Sequence, residues 1–316
     1  LEEWISSIIF AITLATIVHT YFIQPFIIPT GSLERTLLVG DFLFVSKYHY
    51  GARVPKTVVA FPMVHDTIVG TGIRSYLNKP QLPYLRLPKL QSIKRNEIVT
   101  FNWPADTVRQ FFVKEKGVKK PLDKKSNYVK RCVAIPGDTL EIINGLVHIN
   151  GKISKFPSRA KPIYNYTSYS SNGISSQKLS KLNISDFQRK FVISRNKSSF
   201  DFLRPYILGL IDQNNESFTV ITGSKGIPRK IIVENRLSLK EITEKIKNLS
   251  LTEEDYRIIE NSNIVDSIVR IYKKDKSYNT AFFPNDIRYD WNEDNLGPII
   301  IPKKGLNIEL NLANLA

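Results

Sequence analysis

The feature that most constrains this chain is a charge-free segment near its N-terminus. No Asp, Glu, Lys or Arg occurs between Trp4 and Leu33. Residues 5–23 of this segment are mostly apolar, and about 20 such residues suffice for a helix to cross a bilayer. We therefore predict a transmembrane anchor over residues 1–24. A buried helix and a cleaved signal peptide are the alternatives, but no small-residue cleavage site precedes Pro25.

The charge of the whole chain indicates an anionic partner. The 316 residues carry a net charge of +16, which favours attraction to anionic surfaces. With a membrane segment present, we expect that surface to be the lipid bilayer. A nucleic-acid-binding domain would place aromatic residues among its Lys and Arg. The basic run 114–125 has only Phe111, Phe112 and Tyr128 nearby, so we expect no nucleic acid partner. We interpret the run as a solvated loop, and a lipid-contacting patch is the alternative.

Metal and disulfide sites are not indicated. A single cysteine, Cys132, excludes an internal disulfide. The four histidines lack the paired spacing of metal ligands, so we expect no metal and no cofactor.

The region after the anchor is rich in strand signals. Residues 24–29 should be extended because they contain two prolines. Segments 41–47, 97–103 and 128–135 are rich in aromatic and β-branched residues and are predicted as strands. Two Asn-Gly pairs, at 144–145 and 150–151, predict tight hairpins. Five prolines within residues 54–90 break that stretch into loops.

The composition changes at Lys152, where Ser, Asn and Lys become common. Ser238 and Glu241 have the spacing of a capping box, which predicts a helix over residues 239–249. Thr252 could cap a second helix reaching Ile259. We predict a β-rich core over 25–151, an accessory α+β insert over 152–279, and a return toward the core over 280–316.

Chemistry is indicated at a serine and a lysine. Ser32 follows Gly31, which permits an unusual backbone turn. Its backbone N–H and the Thr30 hydroxyl could both donate to a developing oxyanion. Lys130 shares a predicted strand face with Tyr128, Cys132 and Ala134. Burial would favour its neutral amine, which can take the proton of a serine hydroxyl. The alternative is a lysine whose stem lies along a strand edge with its ammonium in water.

These segments resemble bacterial type I signal peptidases, membrane-anchored Ser-Lys endopeptidases that remove signal peptides from exported proteins. Residues 29–33, Pro-Thr-Gly-Ser-Leu, look like the family's Pro-Ser-Gly-Ser-Met box. Residues 128–138 look like its Tyr-Ile-Lys-Arg-x-x-Gly-x-Pro-Gly-Asp box. Residues 44–53 and the long insert are most similar to the Bacteroidetes branch.

The resemblance implies a mainly β catalytic domain with one N-terminal transmembrane helix and an α+β insert. It implies Ser32 as nucleophile, Lys130 as general base, and Thr30 with the Ser32 N–H as oxyanion hole. The substrates would be signal peptides of exported preproteins, cut after small residues. Catalysis would take place at the outer, periplasmic face of the bacterial cytoplasmic membrane, on a single-pass protein. The resemblance also implies an apolar pocket lined by Ile28, Pro29, Leu33, Leu37, Tyr128 and Val129.

One box of the family has no counterpart here. The Gly-Asp-Asn-Arg…Ser-x-Asp-Ser-Arg segment, which supports the lysine, is not found between Asp138 and Ala316. We therefore expect a chain truncated before that box. A catalytically inactive, membrane-anchored peptide-binding fragment is the alternative function.

Overall fold

The computed structural model describes residues 2–33, 35–104, 119–194, 201–213, 217–281 and 286–307. It is mainly β, as predicted. Four α-helices are present in the described residues: α1 (Glu2–Tyr21), α2 (Ser176–Lys181), α3 (Arg229–Glu234) and α4 (Glu253–Glu260). Short 3₁₀ helices occupy Gly31–Leu33, Leu122–Lys124 and Asp201–Tyr206.

The strands form five sheets in the described part of the chain. Their bounds are β1 (Ile23–Ile27), β2 (Phe42–Ser46), β3 (Ile98–Asn102), β4 (Asn127–Arg131), β5 (Thr139–Ile143), β6 (Leu146–Ile149), β7 (Lys152–Ile153), β8 (Tyr164–Ile174), β9 (Arg189–Ser194), β10 (Ile207–Gln213), β11 (Ser217–Thr222), β12 (Leu239–Glu241), β13 (Glu244–Leu251), β14 (Ser267–Arg270) and β15 (Leu296–Ile300). The sheet orders are β1-β2, β3-β4, β15-β5-β6-β7, β13-β8-β14 and β10-β11-β9-β12.

The chain divides into two compact units. The first comprises Leu1–Glu141, Val147–Ala160 and Pro298–Leu315, and the second comprises Ile142–Leu146, Lys161–Gly297 and the last residue. The first unit begins with α1, a 20-residue helix that is long and apolar enough to cross a membrane and has no buried residue. The predicted anchor therefore forms the expected helix.

Several local predictions for residues 24–151 are confirmed. Strands β2 and β3 lie within the segments predicted as strands, and β1 overlaps the segment predicted to be extended but begins one residue earlier, at Ile23. Both Asn-Gly pairs form the hairpin turns that connect β5 to β6 and β6 to β7. Asn144 and Asn150 adopt φ of 50° and 53°, and the glycines that follow them also have positive φ. Two consecutive positive φ values define the tight turn that suits the twist of antiparallel strands.

The strand that carries Lys130 is shorter than predicted. It ends at Arg131 rather than at residue 135. Its partner β3 is preceded by Asn96, whose φ of 70° directs the backbone before β3 away from β4. One further pair of bonds joins Cys132 to Glu97 and Asn96, and the ladder stops there.

The helix predicted over residues 239–249 is wrong. That segment forms β12 and β13, which pair with β9 and β8. Along β13 the buried residues alternate as Lys247, Leu249 and Leu251, the period of a strand. A lysine occupies one of the buried positions, so the alternation is hidden when the sequence is read by polarity alone.

The second predicted helix is confirmed as α4. The Thr252 hydroxyl accepts from the Asp255 backbone N–H, and the Asp255 carboxylate accepts from the Thr252 backbone N–H. This reciprocal capping box satisfies two backbone donors at the helix start.

The second unit contains two apolar cores. One includes Ile174, Leu179, Leu249, Leu251 and Ile259, all nearly inaccessible to solvent. The other lies around β9 and β11 and includes Ile193, Leu203 and Val220.

The interpretation of residues 114–125 as a solvated loop is corrected in part. Residues 114–118, and both phenylalanines at 111–112, lie outside the described residues. Lys120 and Lys124 are buried, at 8% and 9% exposure. Lys120 donates to the Asp66 carboxylate at 2.8 Å, and this partner is what makes burial of a charged group tolerable.

Candidate active site

The turn that holds Ser32 follows directly from β1. Ile28 is buried, and its backbone N–H and carbonyl bond to Asp41 and Gly40 at 3.0 and 2.9 Å. These two bonds close the loop between β1 and β2. Ser32 is the central residue of the 3₁₀ helix inside that loop, and its side chain is exposed. The loop is therefore fixed at its base while the hydroxyl remains accessible.

Lys130 lies on β4 opposite Val99 of β3. Its side chain is half-buried. The Lys130 Nζ donates a hydrogen bond to Ser32 Oγ. The two residues are 98 positions apart in the chain, so their contact is a product of the tertiary fold. Chemically, a neutral amine at this position could accept the hydroxyl proton along the same line.

The other predicted site residues lie close to this pair in the sequence. Thr30 is exposed and belongs to the same loop as Ser32. Pro29 is exposed and Leu33 and Leu37 are half-buried. The Leu37 backbone N–H bonds to the Leu33 carbonyl at 2.8 Å, which sets these two apolar residues one turn apart.

Tyr128 and Val129 lie on opposite faces of β4, because successive side chains of a strand alternate. Tyr128 shares the face of Lys130. Its ring packs against Trp103 at 4.6 Å between centroids and against Phe101 at 6.3 Å. An aromatic cluster therefore adjoins the lysine along the strand.

One arginine joins the serine loop to the lysine strand, and the sequence did not reveal its partners. Arg131 donates to the Asn96 carbonyl at 2.9 Å and to the Thr36 hydroxyl at 3.1 Å. Thr36 in turn donates to the Arg159 carbonyl at 2.6 Å, and its backbone N–H bonds to the Leu33 carbonyl at 2.9 Å. These bonds hold the loop of Ser32 against the residue that follows Lys130.

An ion pair fixes the turn after β4. Arg95 binds both carboxylate oxygens of Asp138, which is buried. Asp138 also accepts from the Ile135 backbone N–H and the Asn150 amide at 2.9 and 3.1 Å. The Arg95 guanidinium and these two donors hold the pKa of the Asp138 carboxyl well below its usual range. The Pro-Gly-Asp signal was visible in the sequence, but its arginine partner was not.

The described residues include no group of three or more His, Cys, Asp or Glu side chains arranged to hold a metal ion.

Comparison with known proteins identifies a family for this chain. The profile of the family described as "Signal peptidase, peptidase S26" matches residues 1–215. Among curated proteins, "Signal peptidase I" of Rickettsia massiliae is 27% identical over 151 residues, covering 48% of this chain and 43% of the relative. The protein of the same name from Rickettsia prowazekii is 26% identical, covering 48% and 44%. The chain thus spans less than half the length of these relatives. Because the family profile covers more than half of the chain, the chain belongs to the signal peptidase family, peptidase S26.

Proposed function

We propose that this protein is a membrane-anchored serine endopeptidase that cleaves signal peptides from exported preproteins after small residues. The observation that carries the proposal is the hydrogen bond from Lys130 Nζ to Ser32 Oγ. Family membership and the names of the rickettsial relatives support the same reaction.

In the proposed mechanism, Ser32 Oγ attacks the carbonyl carbon of the scissile bond. Lys130 accepts the hydroxyl proton and later returns it to the leaving amine, as a general base then acid. The Ser32 N–H and the Thr30 hydroxyl stabilise the negative oxygen of the tetrahedral intermediate. Loss of the amine leaves the acyl group as an ester on Ser32 Oγ. Water then attacks this ester while Lys130 takes a water proton, and the C–O bond to Ser32 breaks as Lys130 returns that proton to Oγ.

The proposed substrate lies extended against a strand edge, which allows main-chain pairing. Ile28, Pro29, Leu33, Leu37, Tyr128 and Val129 are proposed to line the pocket for the small residue before the cut. All of these positions belong to the first unit. Residues 152–279 contain no proposed site residue, and we propose that they form an accessory insert.

We further propose that α1 is a single transmembrane anchor and that the active site faces the periplasm at the bacterial inner membrane. The length and hydropathy of α1 support the anchor. Exposed Phe42 and Phe44 on β2, which is paired with the strand after α1, also suit a lipid surface. Residues 44–53 and the long insert support placement in a Bacteroidetes-like branch.

The test is cleavage of a preprotein by the full-length protein that carries this sequence, reconstituted in vesicles. Ser32→Ala should abolish cleavage at the signal junction, as read from the N-terminal sequence of the product. Ser46→Ala is the matched control: Ser46 lies on the adjacent β2 and bonds to His49 at 2.5 Å rather than to a lysine. Equal cleavage by wild type and Ser32→Ala would overturn the assignment. Peptide binding without cleavage by wild type would favour the inactive peptide-binding alternative.

A further inference from the structure

Among the residues that the structure describes, a cavity of the first unit is lined by four lysines and by no Asp or Glu. Its volume is about 930 Å³, which suits a small molecule or headgroup. The cations are Lys56, Lys79, Lys119 and Lys120. Asn78 and Gln81 also line the cavity, and the Gln81 amide donates to the Asn78 carbonyl at 2.9 Å. None of these residues takes part in the proposed proteolytic site.

The walls of the cavity are joined by tertiary contacts. One wall is an antiparallel bridge between Thr57 and Gln81, extended by the bond from the Leu82 N–H to the Lys56 carbonyl at 2.8 Å. The other wall leads into the 3₁₀ helix Leu122–Lys124. The Asp123 carboxylate accepts from the backbone N–H groups of Lys56 and Thr57 at 3.1 and 3.0 Å. This carboxylate therefore ties the two walls together.

The nearby acidic groups are already engaged. Asp123 also accepts from the Thr57 hydroxyl at 2.9 Å. Asp66 pairs with Lys120, whose side chain is only 4% exposed. Within the described ranges, no carboxylate forms an ion pair with Lys56, Lys79 or Lys119. The cavity therefore retains excess positive charge, which an anion would neutralise.

Apolar side chains flank the lysines on the same two backbone segments. Val58 and Val59 follow Lys56, and Leu77 and Leu82 lie on either side of the stretch that carries Lys79. All four are exposed, although the Leu77 N–H and the Val59 carbonyl bond at 3.0 Å and hold the segments together. Basic and apolar surface thus adjoin, as the headgroup and acyl chains of an anionic phospholipid do.

We propose that this lysine cavity binds a phosphate-bearing anion, and that an anionic phospholipid headgroup is its source. Ammonium groups bind phosphate oxygens through charge-assisted hydrogen bonds. The proposal concerns binding and does not depend on the proteolytic function, so a failed cleavage assay leaves it standing.

The experiment is titration calorimetry on the whole chain in a neutral detergent. The probes are dihexanoyl phosphatidylglycerol, dihexanoyl phosphatidylcholine and inorganic phosphate. The cavity variant is Lys56→Gln, Lys79→Gln and Lys119→Gln combined. Its matched control combines Lys152→Gln, Lys155→Gln and Lys304→Gln, three exposed lysines of the first unit that do not line the cavity. Both variants lose the same net charge.

We expect saturable binding of phosphatidylglycerol that is weakened about ten-fold or more in the cavity variant and less than about two-fold in the control. Lys79→Glu, a single change of an exposed side chain, should give the same loss if the triple variant folds poorly. Inorganic phosphate binding as tightly as the lipid would support the anion site and identify free phosphate as its source. Equal weakening in both triple variants, equal binding of the two lipids, or no saturable binding would overturn the proposal.

Discussion

The two units of this protein differ in how they use apolar residues. In the described part of the first unit, the buried apolar side chains are Ile28, Ala52, Tyr76, Pro121 and Ile149. The second unit buries two clusters whose central side chains are fully enclosed. Meanwhile Phe44 and Val69 of the first unit are 80% and 94% exposed.

The residues that stabilise the fold and the residues proposed to carry out the reaction lie mostly in different units. The second unit contains the cores that oppose unfolding, because burial of apolar area is the main favourable term in folding. The first unit contains the proposed chemistry on exposed or half-buried side chains held by hydrogen bonds. Substitutions in the two units should therefore have different consequences, and four experiments examine this.

The largest effect is expected at the proposed dyad. Lys130→Arg keeps the positive charge but cannot supply a neutral amine, since guanidinium does not lose its proton. It should lower kcat/KM for a preprotein by at least about 10³-fold. Combining it with Ser32→Ala should cost no more than either change alone, because the two groups act as one unit.

The measurement is steady-state cleavage by the full-length protein, together with the free energy of unfolding of each variant. The unfolding free energy should stay near that of wild type, since both side chains are solvent-accessible. Additive losses in the double variant would show that Ser32 and Lys130 act independently.

The next effect belongs to the core of the second unit. Leu249→Ala should reduce the free energy of unfolding by about 2–5 kcal/mol, because the site is enclosed and would retain a cavity. Ile246→Ala on the same strand is the control, as Ile246 is 60% exposed. Chemical denaturation measures both. Equal losses from the two variants would contradict the assignment of Leu249 to a closed core.

Thr30 offers a smaller test of the first unit. If its hydroxyl donates to the oxyanion, Thr30→Val should lower kcat about 10²-fold with little change in KM. Thr30→Ser retains the hydroxyl and should remain active. If the Thr30→Val enzyme has the kcat of wild type, the Thr30 hydroxyl does not stabilise the oxyanion, and only the Ser32 backbone N–H remains as the proposed donor.

The smallest effect is expected from the Arg95–Asp138 pair, because Arg95 is partly exposed and water screens the attraction. The folded-state pKa of Asp138 is depressed, so the pair stabilises the fold above the unfolded pKa, about 4 for an aspartate. This stabilisation is lost as pH falls through the lower folded-state value. Asp138→Asn should therefore be less stable than wild type near neutral pH, with the difference shrinking in acid. A difference that does not vary with pH would contradict the ionic contribution.

Local signals predicted much of the fold. The Asn-Gly turns and the Thr252 cap are encoded by neighbouring residues, and the structure contains both. The segment 239–249 was mispredicted because its capping-box spacing is also local, whereas its strand pairing with β8 is not. Burial of Lys247 beside Glu244 further concealed the strand period.

The sequence by itself determined the apolar helix, the turns, and the presence of a serine after a glycine and a lysine within a strand. Only the tertiary structure decided that Lys130 reaches Ser32, that Arg131 binds Thr36, and that Lys120 is buried against Asp66. The physical reason is the separation in sequence between the residues that interact. Backbone conformation and capping depend on residues a few positions apart, whereas contacts between distant positions form only when packing and strand pairing bring them together.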